Sequence, residues 1–315
     1  MIVGKATDYI TRQAEAGKPF FTYVALSQVH PPEKAHPDFD QTSPQRLGMY
    51  ADLMAEMDHR VGQIVDCVEQ AGIADNTLIV FSSDNATALM NLDMTGGSNG
   101  PFRGGFMTPP VEGSMRVPAI VRWTGKVPAG VVTEEMLSAH DWYKTFAALA
   151  GASGKVPADR PMDGIDASAF LFGQSQETGR GNVLFFGPDG SLMSSKWHNV
   201  RTILRYCEGA DQPILEPQFP MVYDLGSDPA STTTCSNANS TWAGWLASPS
   251  VTSPSTTKAS PSSPTSSPAR NSTGTRPCPV RPEGLGAARD NATVLVLLNC
   301  QVSKSVCGPI LLTPR

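Results

Sequence analysis

Asp84-Asn85 is the first place in this sequence where chemistry can be argued, because two oxygen donors follow directly on the apolar run Leu78-Ile-Val-Phe-Ser. In open α/β sheets ligands gather where strands reach their carboxyl edge. A carboxylate beside an amide carbonyl suits a hard divalent cation, Ca²⁺ or Mg²⁺. Asp and Asn are also ordinary turn formers after a strand, and residue types alone leave both readings standing. His30 follows another apolar run, Phe20 to Leu26, at the corresponding edge, where an imidazole can donate a hydrogen bond to an anion. Beside two prolines it reads equally well as an exposed loop residue. Arg103, within the Gly/Asn/Ser-rich stretch from Thr95 to Gly105, and Arg116 after it carry guanidinium groups that match tetrahedral oxyanions such as sulfate or phosphate. Surface arginines are nevertheless commoner than anion-binding ones.

The elements that must hold these residues alternate between helix and strand. Ile2 to Ala16 predicts a helix stopped by Gly17, and Pro19-Phe-Phe-Thr-Tyr-Val-Ala-Leu predicts a buried strand. From Tyr50 the residues Leu53, Met54, Met57, Val61, Ile64, Val65 and Val68 recur at helical steps up to Gly72. Leu78-Ile-Val-Phe-Ser suits a central parallel strand, Ala119-Ile-Val-Arg-Trp another strand, and Asp141 to Leu149 a helix closing at Gly151. This order implies an α/β sheet. Shorter segments at Asn182-Val-Leu-Phe-Phe, Val200 to Tyr206 and Met221-Val-Tyr-Asp-Leu suit a small antiparallel sheet. The expected organisation is an α/β domain over residues 1–164, a small α+β subdomain over 165–229 and a tail over 230–315.

The tail differs in kind from the body. Residues 1–230 hold 17 Lys/Arg against 27 Asp/Glu, whereas residues 231–315 hold seven against two. An acidic body gives no reason to expect nucleic acid as a partner, and the basic tail is too sparse in charge for a polyanion patch. Over residues 231–275, 28 of 45 positions are Ser, Thr or Pro, a composition that cannot bury a core and predicts disorder. The tail reads as an O-glycosylated stalk or, better, as residues out of frame or from a wrongly joined segment. Its strand-like run at Ala292 to Leu298 is exposed to mispairing if it lacks a partner. The six cysteines show neither metal-ligand nor disulfide-framework spacing. No run is long and apolar enough for a membrane span, and nothing after Met1 resembles an export signal, so no compartment is assigned.

Taken in order, five blocks resemble the arylsulfatase family: Gly17-Lys-Pro-Phe-Phe-Thr-Tyr with His30-Pro; Tyr50 through Met57-Asp-His-Arg-Val-Gly62; Asp75-Asn-Thr-Leu-Ile-Val-Phe-Ser-Ser-Asp-Asn85; Asn99-Gly-Pro-Phe-Arg-Gly-Gly; and Glu112-Gly-Ser-Met-Arg-Val-Pro-Ala-Ile. Ala148-Leu-Ala-Gly151 and Tyr223-Asp-Leu-Gly-Ser-Asp-Pro229 extend the likeness. The resemblance implies an alkaline-phosphatase-like sandwich, incomplete here, and hydrolysis of small-molecule sulfate esters. It implies a formylglycine nucleophile made from Cys or Ser in Cys/Ser-x-Pro-x-Arg, assisted by Ca²⁺ or, alternatively, Mg²⁺. Asp84 and Asn85 match the second pair of metal ligands, and His30 matches the histidine that contacts the sulfate or its leaving oxygen.

Departures from the family pattern qualify that reading. The first acidic pair and the formylglycine motif are expected upstream of residue 1, so this chain reads as the C-terminal part of the domain, and no nucleophile is assigned in it. Cys278-Pro-Val-Arg and Cys307-Gly-Pro-Ile-Leu do not complete the motif. Phe106 stands where many relatives carry a Lys, with Arg103 a candidate substitute, and Ala86 replaces the usual Gly after Asp-Asn. Two other functions remain open: a non-catalytic fragment or pseudoenzyme, and a phosphoester or phosphonate hydrolase of the same fold. Missing flanking strands around Phe20 to Leu26 also predict that the chain folds poorly by itself.

Overall fold

The computed structural model describes residues 1–30, 34–41, 48–87, 97–209, 212–232, 293–299 and 307–311. Three helices form where the apolar spacing predicts them. α1 spans Ile2–Glu15, α2 spans Met49–Gln70 and α4 spans Asp141–Leu149, with the short α3, Glu112–Met115, lying between α2 and α4 in the chain. The predicted stops work by one device. Gly17, Gly72 and Gly151 adopt φ of 61°, 67° and 67°. Their N–H groups donate to Ala14, Glu69 and Ala148, and the next residues donate back to Gln13, Val68 and Ala147. This double return satisfies the last carbonyls of each helix and requires the left-handed conformation that glycine adopts at least cost.

The main sheet contains β1 (Phe21–Leu26), β2 (Thr77–Ser83), β3 (Ala119–Arg122), β4 (Val132–Ser138), β9 (Thr293–Asn299) and β10 (Cys307–Leu311), in the order β1-β9-β2-β3-β10-β4. β9 is parallel to both β1 and β2, and β2 is antiparallel to β3. Thus β2 is central as predicted, but in a mixed sheet. Ile10, Val24, Leu26, Met57, Ile64, Val68 and Ile79 form one core where α1 and α2 cover a sheet face. Leu78, Val80, Val121 and Trp123 point to the other face and pack with Leu137 and Leu149. This alternation along β2 lets one strand serve two layers. Met54, predicted on the apolar stripe of α2, is 40% exposed, because the helix meets the sheet through Leu53, Met57, Ile64 and Val68 instead.

Two segments of the tail are strands, and the first of them is the run read as strand-like. Thr293–Asn299 and Cys307–Leu311 are strands of the main sheet, and the first pairs along the whole of β1. The β-favouring run Thr-Val-Leu-Val-Leu-Leu can satisfy its backbone groups there, so the predicted lack of flanking strands for Phe20 to Leu26 does not hold on that side. Residues 233–292, including Cys278, lie outside the described residues.

The small sheet is antiparallel, in the order β5 (Asn182–Phe186), β6 (Leu192–Trp197), β7 (Val200–Ile203), β8 (Met221–Asp224). β6 is hard to read from sequence because Leu-Met-Ser-Ser-Lys-Trp has no clean alternation. α5, Ser168–Leu171, contributes Phe170 and Leu171 to the main core, so the small sheet begins after it. The sheet meets the main domain through Val183 and Phe185 against Met115 and Met136, and through Ile203, Tyr223 and Leu225 against Val111.

Candidate active site

Parallel pairing sets the site. Leu26 is level with Asn299 of β9, and Asn299 is level with Ser83. The chain therefore leaves β1 toward His30 and β2 toward Asp84 at the same carboxyl edge, with about 10 Å, or two inter-strand spacings, between them. His30 is exposed, on a turn closed by its N–H donating to the Ser27 carbonyl at 3.2 Å.

Asp84 and Asn85 occupy the turn after β2. Ser83 Oγ donates to the Asn85 carbonyl at 3.0 Å, and Asn85 Nδ2 donates to the Ala86 carbonyl at 2.8 Å. These bonds fix the amide with its Oδ1 buried and, among the described residues, accepting no hydrogen bond; the carboxylate oxygens of Asp84, the preceding residue, are buried as well. A buried oxygen without a donor costs about 1–3 kcal/mol, a cost that a bound cation would relieve. The donor set fits a hard divalent metal, although two residues supply only part of the six to eight oxygens that Ca²⁺ takes. Among the described residues no three His, Cys, Asp or Glu side chains converge as a metal cluster. Ala86 is buried and does not adopt a left-handed backbone, so the turn accommodates it in place of glycine.

Arg103 is joined to this turn through the intervening loop. Asn99 Nδ2 donates to the Gly104 carbonyl at 2.8 Å, while Asn99 Oδ1 accepts from the Thr87 N–H at 3.3 Å. The Arg103 carbonyl accepts from Gly113 N–H at 2.9 Å. Its guanidinium reaches the Ser231 carbonyl at 3.4 Å and lies 6.0 Å from the Tyr223 ring centroid. These contacts set Arg103 at the seam with the small sheet. Phe106, in the place of the usual Lys, donates its N–H to the Thr87 carbonyl at 2.9 Å. Arg116 is a structural residue: it pairs with Glu134 and stacks 4.1 Å from the Phe102 ring centroid.

Behind the loop stands a charge cluster that residue types alone do not reveal. Glu112 is 1% exposed and accepts from Lys196 Nζ at 3.0 Å and Arg201 Nε at 3.0 Å. Burial pushes its pKa up, but the two cations outweigh that and hold it below the usual carboxylate range. Lys196 is pulled below its usual range because burial, with repulsion from Arg116 and Arg201, exceeds the attraction of Glu112. Arg201 thus takes one oxygen of the carboxylate and Lys196 the other. The sequence signal was only the block Glu112-Gly-Ser-Met-Arg, whose partners lie more than 80 residues away.

An alkaline-phosphatase-like α/β fold with an acid–amide pair at its carboxyl edge defines the class. Residues 2–152 match the family model described as Sulfatase, and that stretch of the chain is of the sulfatase family. The chain is 35% identical over 243 residues to N-acetylgalactosamine-6-sulfatase of Canis lupus familiaris, covering 71% of this chain and 46% of that protein. It is 35% identical over 246 residues to arylsulfatase G of Homo sapiens, covering 72% and 45%. Among solved structures, the PsFucS1 sulfatase from Pseudoalteromonas sp. matches with a TM-score of 0.69 at 27% identity, over 74% of this chain and 47% of that one. The chain therefore spans about half the length of the curated relatives it matches. Sulfatases act on sulfate esters and generally use formylglycine and a divalent metal.

Ser266-Ser-Pro-Ala-Arg270 does complete Ser-x-Pro-x-Arg, unlike the segments at Cys278 and Cys307. It lies outside the described residues and beyond residues 2–152, where abundant Ser and Pro make the pattern weakly informative, and no nucleophile is assigned to it. Among the described residues no helix is long and apolar enough to cross a membrane.

Proposed function

We propose that this chain carries the metal- and sulfate-holding part of a sulfuric ester hydrolase of the arylsulfatase type. The observation that carries the reading is the buried Asn85 Oδ1, which has no donor among the described residues and follows Asp84 directly at the carboxyl edge of β2, within the stretch that matches the sulfatase family. Asp84 and Asn85 would hold the cation, for which Ca²⁺ is the better candidate and Mg²⁺ the alternative. When bound, the ion would neutralise charge on the sulfate oxygens. His30, leaving the same edge, would donate to the sulfate or its leaving oxygen, and Arg103 would add positive charge from the loop.

The test is calorimetric titration of the full chain with Ca²⁺ and Mg²⁺, beside paired assays on an aryl sulfate and an aryl phosphate. Ca²⁺ binding that Asp84→Ala and Asn85→Ala abolish is expected; a wild-type chain that binds neither ion rejects the metal assignment. Faster turnover of the phosphate would move the substrate class to phosphoesters. A non-catalytic role is the alternative reading. Aryl sulfate turnover that Asp84→Ala abolishes would reject that role.

A further inference from the structure

Thr87, two residues beyond the proposed metal pair, is held from both sides. Its N–H donates to Asn99 Oδ1 at 3.3 Å, and its carbonyl accepts from Phe106 N–H at 2.9 Å. The approach of the two segments is close: a Cβ built on Gly97 would lie 1.9 Å from Thr87 Oγ1, so only glycine fits. Asn99 spends its other polar atom on the Gly104 carbonyl at 2.8 Å, next to Arg103. One planar amide thus accepts from the turn that follows Asp84-Asn85 and donates to the loop that carries Arg103. Asp has the acceptor without the donor, and Leu has neither. Both bonds are partly buried rather than lost to water.

We propose that Asn99 is a positioning residue that locks the metal turn and the arginine loop into one fixed relation. Its functional consequence rests on the metal reading given above. Asn99 touches neither ligand; it acts through Thr87 on Asp84-Asn85 and through Gly104 on Arg103. Asn99 is not a buried charge, and each of its hydrogen bonds is a modest net contribution, so its removal should loosen this joint without unfolding the chain.

The experiment compares the full chain with Asn99→Leu and Asn99→Asp by amide hydrogen exchange and by Ca²⁺ titration. In Asn99→Leu, exchange at the Thr87 and Phe106 amides should rise about tenfold and Ca²⁺ affinity should fall about tenfold, while the amides of β7 and β8 keep their protection. Asn99→Asp, which keeps the acceptor for Thr87, should retain more protection at Thr87 than Asn99→Leu does. Unchanged exchange at Thr87 and Phe106 overturns the proposal. So does an equal rise across the small sheet, which would make Asn99 a general stabiliser, and so does unaltered Ca²⁺ affinity in a loosened variant. If the wild-type chain binds no Ca²⁺, the metal reading fails, and the exchange arm alone decides whether Asn99 couples the two segments.

Discussion

Replacing Glu112 by Gln removes the negative charge that, among the described residues, faces Arg201 and Lys196 inside the seam between the two sheets. Arg201 is 1% exposed, and its remaining side-chain acceptor is Ser194 Oγ at 3.1 Å. An uncompensated buried cation of this kind costs about 3–5 kcal/mol. Lys196→Met should behave differently, because it removes a desolvated cation while Glu112 keeps Arg201 as its partner; the expected change is about 1 kcal/mol or less, of either sign. Urea unfolding followed by tryptophan fluorescence measures both, with the midpoint shift read at unchanged slope. The pH dependence follows from the depressed Glu112 pKa. Its contribution is complete above the ordinary value of 4.5 and is lost as pH falls through the lower folded value, so wild type should lose its margin over Glu112→Gln only below 4.5. A loss under 1 kcal/mol for Glu112→Gln, or equal losses for the two variants, would refute the reasoning that Arg201 depends on this carboxylate more than the carboxylate depends on Lys196.

Further outcomes follow from the same geometry. Arg180→Met should cost about 3 kcal/mol in the same unfolding assay, because it strips the guanidinium bonded at 2.7 Å and 2.5 Å from a fully buried Asp141 carboxylate. Gly113→Ala should destabilise by about 1–3 kcal/mol, since the added Cβ would meet the Arg103 and Gly104 carbonyls at 2.5 Å; Ca²⁺ titration of the variant checks whether the loop shift reaches Asp84. Deleting residues 293–311 removes β9 from between β1 and β2 and β10 from between β3 and β4, and should replace a cooperative thermal transition by a broad one with dye-binding apolar surface. An unchanged transition would show that β9 and β10 do not contribute to the fold's cooperativity.

The elements were legible wherever one face or one stop signal dominates. Ile2 to Gly17, the α2 stripe ending at Gly72 and the short run before Asp84-Asn85 each declare themselves, because helix period, glycine stops and apolar runs are local properties. β4 and β6 were not legible: Val-Thr-Glu-Glu-Met-Leu-Ser and Leu-Met-Ser-Ser-Lys-Trp become strands through their neighbours rather than through their own pattern.

For the site, the sequence by itself determined which residues bear the right atoms: Asp84 and Asn85 for a hard cation, His30 and Arg103 for an anion, and the order of blocks that marks the family. Tertiary structure decided how they stand to one another. Register through β9 brings the ends of β1 and β2 to one edge, Asn99 bonds both to Thr87 after the Asp84-Asn85 turn and to Gly104 beside Arg103, and Glu112 meets cations 84 and 89 residues away. The physical reason is that donor chemistry belongs to single side chains, whereas pairing partners and burial exist only once segments remote in sequence have packed.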